Sequence, residues 1–182
     1  MKIPFSFLLF VCIFVVACSF DYGNSQSEDG RKPDIVMENV EYVRVRGGNP
    51  QMRFQAEYAE RFEERKTMNV LNITFEQFEN QGIEINAAGW AGRAHVETDT
   101  GNLRLSEGVR MEIDSEDVIM STAGLRWQDA ERQLIGEEDD EVEILRSDGT
   151  KFIGRGFSAN IRERTWEFAQ GAEGHYVDEE DD

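Results

Sequence analysis

Cys18 is the residue whose type and setting define a reaction. It closes a short apolar run, Phe5 to Ala17, in the order Val15-Val16-Ala17-Cys18, and polar sequence follows at once. A short hydrophobic segment with a small residue before cysteine is the recognition pattern of bacterial lipoprotein processing, in which the leader is removed and the cysteine is acylated as the new N-terminus. An ordinary signal peptide with a cysteine near its cleavage site is the competing reading. The run is shorter than the ~20 residues a bilayer span requires, and Lys2 is the only charge before the cysteine. Cys12 leaves with the leader, so the processed chain keeps one cysteine, which carries lipid, and a monomer has no disulfide.

Other strings invite chemistry and do not sustain it. Gly154-x-Gly156-x-x-Ala159 matches a dinucleotide-binding pattern, but that pattern needs a helix after the glycines, and Phe157-x-Ala159-x-Ile161 continues as a strand. His95 and His175 are the only histidines and lie far apart, with no cysteine to join them in a zinc set. The acidic run Glu137 to Glu141 lacks the spacing and turn glycine of a calcium loop. Ser106, Ser121 and Ser158 have no nucleophile elbow. Asn72-Ile-Thr74 is a chance glycosylation match in a bacterial lipoprotein. No catalytic residue, metal ligand or cofactor site is assigned, and the chain reads as a non-enzyme.

Stepping outward from these residues, the chain divides into a leader (1–17), a lipidated cysteine with a flexible tether (18–33), one domain (34–177) and an acidic tail (178–182). The tether is polar, Gly- and Ser-bearing, and if extended spans roughly 50 Å at ~3.3 Å per residue. The 165 residues left after processing suffice for one unit that buries about 70% of its unfolded surface. With 37 acidic against 19 basic residues, nucleic acid is repelled over most of the surface.

From Asp34 onward the apolar period is two. Val109-x-Met111-x-Ile113, Val142-x-Ile144, Leu103-x-Leu105, Trp166-x-Phe168, Phe157-x-Ala159-x-Ile161 and Ile83-x-Ile85-x-Ala87 all alternate, which sends one set of side chains to a buried face. Gly47-Gly48-Asn49-Pro50, Asn80-Gln81-Gly82, Thr100-Gly101-Asn102 and Ser147-Asp148-Gly149 supply turns. Gln55 to Lys66 dissents, being rich in helix formers. Met52-x-Phe54-x-Ala56-x-Tyr58 nevertheless alternates, so a strand through Ala59 followed by a turn or a short helical turn is expected. Leu103, Leu134 and Trp166 recur at a spacing of just over 30 residues, the mark of stacked β units that cannot bury an apolar face alone.

These residues carry a family resemblance. Phe54-Gln-Ala-Glu-Tyr-Ala59, Gly92-Arg-Ala94 with Thr98 to Leu105, Gly108-Val109, and Gly154-Arg-Gly156-Phe157 followed by Gly171 and Tyr176 make the chain resemble LptC and the related LptA/OstA domains over nearly all of Asp34 to Val177. The resemblance implies an all-β fold, a twisted, partly open antiparallel jelly roll. It implies a membrane-anchored periplasmic component that passes lipopolysaccharide or a related glycolipid from an inner-membrane ABC transporter to an LptA-like carrier. The familiar members use an N-terminal transmembrane helix where this chain has Cys18. The anchor is expected at the inner membrane, with the outer membrane as the alternative.

An apolar groove is the feature such a function needs, at roughly 0.8 kcal/mol per buried CH₂. Its candidate lining is Phe54, Val96, Leu103, Leu105, Val109, Met111, Leu125, Trp127, Ile144, Phe157, Ile161, Trp166 and Phe168, residues that an ordinary core would use equally well. The resemblance directs the first strand (Ile35 to Val45) towards the transporter and the last (Trp166 to Val177) towards the next carrier, as unpaired edges available for added strands. The alternative is a surface lipoprotein with a closed β-sandwich that binds a protein. The acidity opposes an anionic glycolipid unless its headgroup stays in solvent, screened within about 8 Å.

Overall fold

The computed structural model describes residues 32–114 and 117–177. The leader, Cys18, the tether up to residue 31 and the acidic tail lie outside the described residues, and so do the expectations placed on them. From Lys32 onward the chain forms one compact unit, and its described elements are antiparallel strands with a 3₁₀ turn at Asn80–Gly82.

Five long strands come first: β1 (Ile35–Arg46), β2 (Asn49–Phe62), β3 (Thr67–Glu79), β4 (Glu84–Glu97) and β5 (Leu103–Ile113). Four further passes of the chain are each divided in two: β6 (Val118–Thr122) with β7 (Leu125–Gln128), β8 (Gln133–Gly136) with β9 (Val142–Arg146), β10 (Lys151–Gly154) with β11 (Phe157–Asn160), and β12 (Thr165–Phe168) with β13 (Ala172–His175). In its strand pairing each pass meets only the pass before it and the pass after it, so the sheet is an open meander. Odd-numbered passes begin at Ile35, Thr67, Leu103, Gln133 and Thr165. The recurrence read from Leu103, Leu134 and Trp166 is therefore one out-and-back hairpin.

Three of the four turn signals lie between strands, and of the first, Gly47 and Gly48 make the turn while Asn49 and Pro50 open β2. The helix-prone stretch is strand as far as Phe62, three residues beyond the expected limit, and Glu63 to Lys66 form the turn. Helix propensity is overridden because β2 pairs along its length with both β1 and β3, and a central strand satisfies its N–H and C=O groups on both sides.

A crease crosses every pass. Regular pairing lapses where Asn39 faces Glu57, Glu57 faces Asn72, Asn72 faces Gly92, and Gly92 faces Glu107–Gly108, while residues on either side pair normally. Asn39, Asn72, Glu107 and Gly108 have positive φ angles of 51°, 49°, 62° and 86°, a region asparagine and glycine reach most readily. A Cβ on Gly92 would lie 2.7 Å from the Glu107 carbonyl oxygen, so only glycine fits there. In the later passes the crease falls in the breaks, at Ala123–Gly124, residues 137–141, Arg155–Gly156 and Ala169–Gly171.

The crease resets the alternation. On β3, Val70 points inward before Asn72, and Ile73 points inward after it. Both halves of the bent strand thus turn apolar side chains to the same side, and the sheet closes on itself as a V. The first wall holds β1 to β5 on the side of residues 40–46, 49–56, 73–79, 84–91 and 109–113, with β6, β9, β10 and β13. The second wall holds their other halves with β7, β8, β11 and β12. One contiguous apolar cluster fills the space between.

Candidate functional site

The inner faces are built from four cross-strand ladders. Next to the crease on the second wall run Met37, Ala59, Val70, Ala94, Leu105, Leu125, Gly136, Phe157 and Phe168. Facing them on the first wall are Val40, Ala56, Ile73, Ala91, Val109, Thr122, Val142, Gly154 and Ala172. Nearer the open mouth of the V, the first wall carries Tyr42, Phe54, Phe75, Gly89, Met111, Met120, Ile144, Phe152 and Gly174. The second wall carries Ile35, Arg61, Met68, Val96, Leu103, Trp127, Leu134, Ala159 and Trp166.

In the first three passes side-chain size follows the taper of the V. Alanines dominate at the apex of the early passes, where Ala59, Ala91 and Ala94 are almost fully buried. Aromatic rings stand nearer the mouth: Tyr42, Phe54 and Phe75 stack obliquely along one ladder at 6.3 and 6.5 Å. At the C-terminal end, Phe157 and Trp166 each pack on Phe168 at 5.5 and 5.6 Å. Gly154 leaves the space that the Phe168 ring fills, since a Cβ there would sit 2.7 Å from it.

Twelve of the thirteen groove candidates lie on these ladders. Leu105, Val109, Leu125, Ile144 and Phe157 are buried in the central cluster, and Phe54, Leu103, Met111, Trp127 and Phe168 pack against it half-buried. Val96 is half-buried between Met68 and Leu103. Trp166 is 47% exposed and still touches Phe152 and Phe168. Ile161 is the correction: it is 52% exposed, in the turn after β11. Asn160 Oδ1 accepts the N–H groups of Arg162 and Glu163, which ends the strand before alternation reaches Ile161.

Sequence reasoning missed the apex alanines and Val70, Ile73, Met120 and Val142. Met68-x-Val70 and Val142-x-Ile144 did alternate, so a signal existed for two of the buried valines. The alanines carried none, because alanine is equally at home on any face.

Each end of the meander is an unpaired edge among the described residues: β1 pairs only with β2, β12 only with β11 and β13 only with β10. The expected single last strand is divided at the crease into β12 and β13. Val36, Tyr42, Val43 and Val45 are exposed along the first edge, and Trp166, Tyr176 and Val177 at or beyond the last. Gly154 and Gly156 flank the crease between two strands, with no helix following. His95 Nδ1 lies 2.8 Å from Asn69 Oδ1 on the neighbouring strand. Among the described residues, no three His, Cys, Asp or Glu side chains group as a metal-ligand set.

An open, creased meander with an apolar interior and two free edges defines a partly open β-jelly roll. The chain is similar in fold to a solved structure, LptH of Pseudomonas aeruginosa, described as the LptA-homologous periplasmic component of the lipopolysaccharide transport device. The TM-score is 0.53 at 8% identity, covering 70% of this chain and 95% of that one. The family model described as lipopolysaccharide-assembly, LptC-related, matches residues 6–177. The chain belongs to the LptC-related family. No curated protein matches it in sequence.

Proposed function

We propose that this protein is a membrane-anchored periplasmic element of lipopolysaccharide or related glycolipid export, taking acyl chains into the trough and passing them along it. The observation that supports the reading best is the set of four apolar ladders running from one free edge to the other, in a chain of this family. The apex ladders are tightly packed, with Leu125 and Val142 at 0% exposure. Cargo therefore lies over the mouth ladders, against Phe54, Val96, Leu103, Trp127 and Trp166, where each covered CH₂ contributes roughly 0.8 kcal/mol.

In this reading lipid on Cys18 holds the domain at the inner membrane. β1 adds to a strand of the ABC transporter, and the last pass adds to an LptA-like carrier. The test is native mass spectrometry with lipid analysis on the full-length protein, purified gently from a host that makes the cargo. Bound glycolipid that is lost in Trp127→Glu or Trp166→Glu, with circular dichroism unchanged, supports transport. A folded wild type that stays empty when lipopolysaccharide is supplied overturns it and favours the protein-binding lipoprotein.

A further inference from the structure

One row on the outer face of the second wall runs against the electrostatics of the rest of the molecule. The chain carries a net charge of −18, yet His95, Arg104 and Arg126 stand directly opposite one another on three adjacent strands, β4, β5 and β7. Like charges in a directly opposed cross-strand pair repel and destabilise a sheet, so Arg104 against Arg126 is unfavourable without an anion beside it.

The anion present is shared and incomplete. Arg104 Nε donates to Glu137 Oε1 at 2.8 Å, and Arg126 reaches that same oxygen only at 3.8 Å. One carboxylate thus serves two guanidiniums whose side chains are 60% and 46% exposed.

The row opens into a depression of ≈300 Å³ that also includes Leu103 and Trp127, two residues of the mouth ladder on the inner face. Arg132 stacks on Trp127, its guanidinium carbon 4.8 Å from the ring centre, and is itself paired with Asp129 at 2.9 Å. The carboxylate lining the depression, Glu97, is engaged by Thr100 Oγ1 at 2.8 Å and Asn102 Nδ2 at 3.2 Å. The arginine pair thus stands on strands next to two residues of the mouth ladder, at the rim of the trough.

We infer that Arg104 and Arg126 form a binding site for a phosphate-class oxyanion at this rim. Guanidinium forks match the oxygens of such a group in bidentate fashion, which a single ammonium does not. The location fits the anionic headgroup of a lipid whose chains lie against Trp127, and that assignment of the source rests on the transport reading. It also gives an acidic protein a local means of accepting anionic cargo.

The test uses the full-length protein with inorganic phosphate, with lipopolysaccharide, and with the same lipopolysaccharide after removal of its phosphates, binding being followed by titration calorimetry. The double variant R104Q/R126Q is compared with Arg104→Lys and Arg126→Lys, which keep charge and lose the fork, and folding is checked by thermal melting. The expected result is at least a ten-fold loss of affinity for phosphorylated lipid in the double variant, an intermediate loss in the lysine variants, and unchanged affinity for dephosphorylated lipid. Arginine-dependent binding of inorganic phosphate, with lipid binding insensitive to the variants, also supports the oxyanion site and makes free phosphate its source. If no lipid binds in any form while phosphate does, the site stands and the transport reading falls. If lipid binds alike with and without its phosphates and to every variant, and phosphate does not bind, the oxyanion site is overturned and transport stands.

Discussion

The ring of Trp166 meets the ring of Phe152 edge to face, centroids 5.7 Å apart, although the two residues stand on opposite walls of the V. Phe168 joins Trp166 from the same strand. The contact ties the walls together at the last of the described passes. A double-mutant cycle with Phe152→Ala and Trp166→Ala is expected to give a coupling of about 0.5–1.5 kcal/mol, the worth of an aromatic pair beyond its burial. Urea denaturation measures it, and additive single effects would mean that the rings meet without stabilising the closure.

The crease makes a prediction about backbone geometry. Gly92→Ala places a methyl against the Glu107 carbonyl, and overpacking of this kind is expected to cost about 1–3 kcal/mol. Asn72 holds φ near 49°. Asn72→Val should cost about 1–2 kcal/mol through the left-handed penalty, whereas Asn72→Gly should be close to neutral. Equal losses for Val and Gly at residue 72 would show that the Asn72 Nδ2 bond to Glu57 matters there and the dihedral does not.

Burial separates two leucine-sized residues that look alike in the sequence. Leu125, wholly buried in the apex ladder, is expected to cost about 2–5 kcal/mol when cut to alanine. Ile161, exposed in a turn, should change stability by no more than about 0.5 kcal/mol. Thermal or urea unfolding of the two variants decides the placement, and a large loss at Ile161 contradicts it.

Asp148 gives a pH dependence of known sign. Its Oδ1 accepts the Thr150 N–H at 2.8 Å, and this bond, with help from Arg146, lowers its pKa from the ordinary 3.8. A lowered folded pKa means that the stabilisation is fully present above the unfolded value and is lost as pH falls through the folded one. Asp148→Asn should therefore lower the melting temperature near neutral pH and leave a smaller difference from wild type once pH falls well below the ordinary 3.8. A difference that grows on acidification would refute the assignment.

Much of the trough was legible because period-two alternation reports facing directly. Leu103-x-Leu105, Leu125-x-Trp127 and Trp166-x-Phe168 each gave two correct ladder positions. The crease was not legible: Asn39 and Asn72 read as ordinary polar positions, and only the register shows that they share one transverse line with Glu57 and Gly92. Ile161 misled because alternation was carried past Asn160, a residue whose side chain is suited to starting a turn. The pairing of Arg104 with Arg126 was hidden for a related reason, since neither faces the other until β7 turns back along β5.

The sequential order of the passes sets how the molecule comes apart. Since the strands of every pass pair only with those of its predecessor and successor, stability accumulates along the trough largely as a sum of local steps, in the manner of a repeat protein. The terminal passes have one neighbour each and open first, so amide exchange is slowest in the middle of the meander and fastest at Ile35 and His175. Loss of an outer pass exposes another strand with the same inner face and the same unpaired edge, and the trough shortens by one pass while the rest keeps its register.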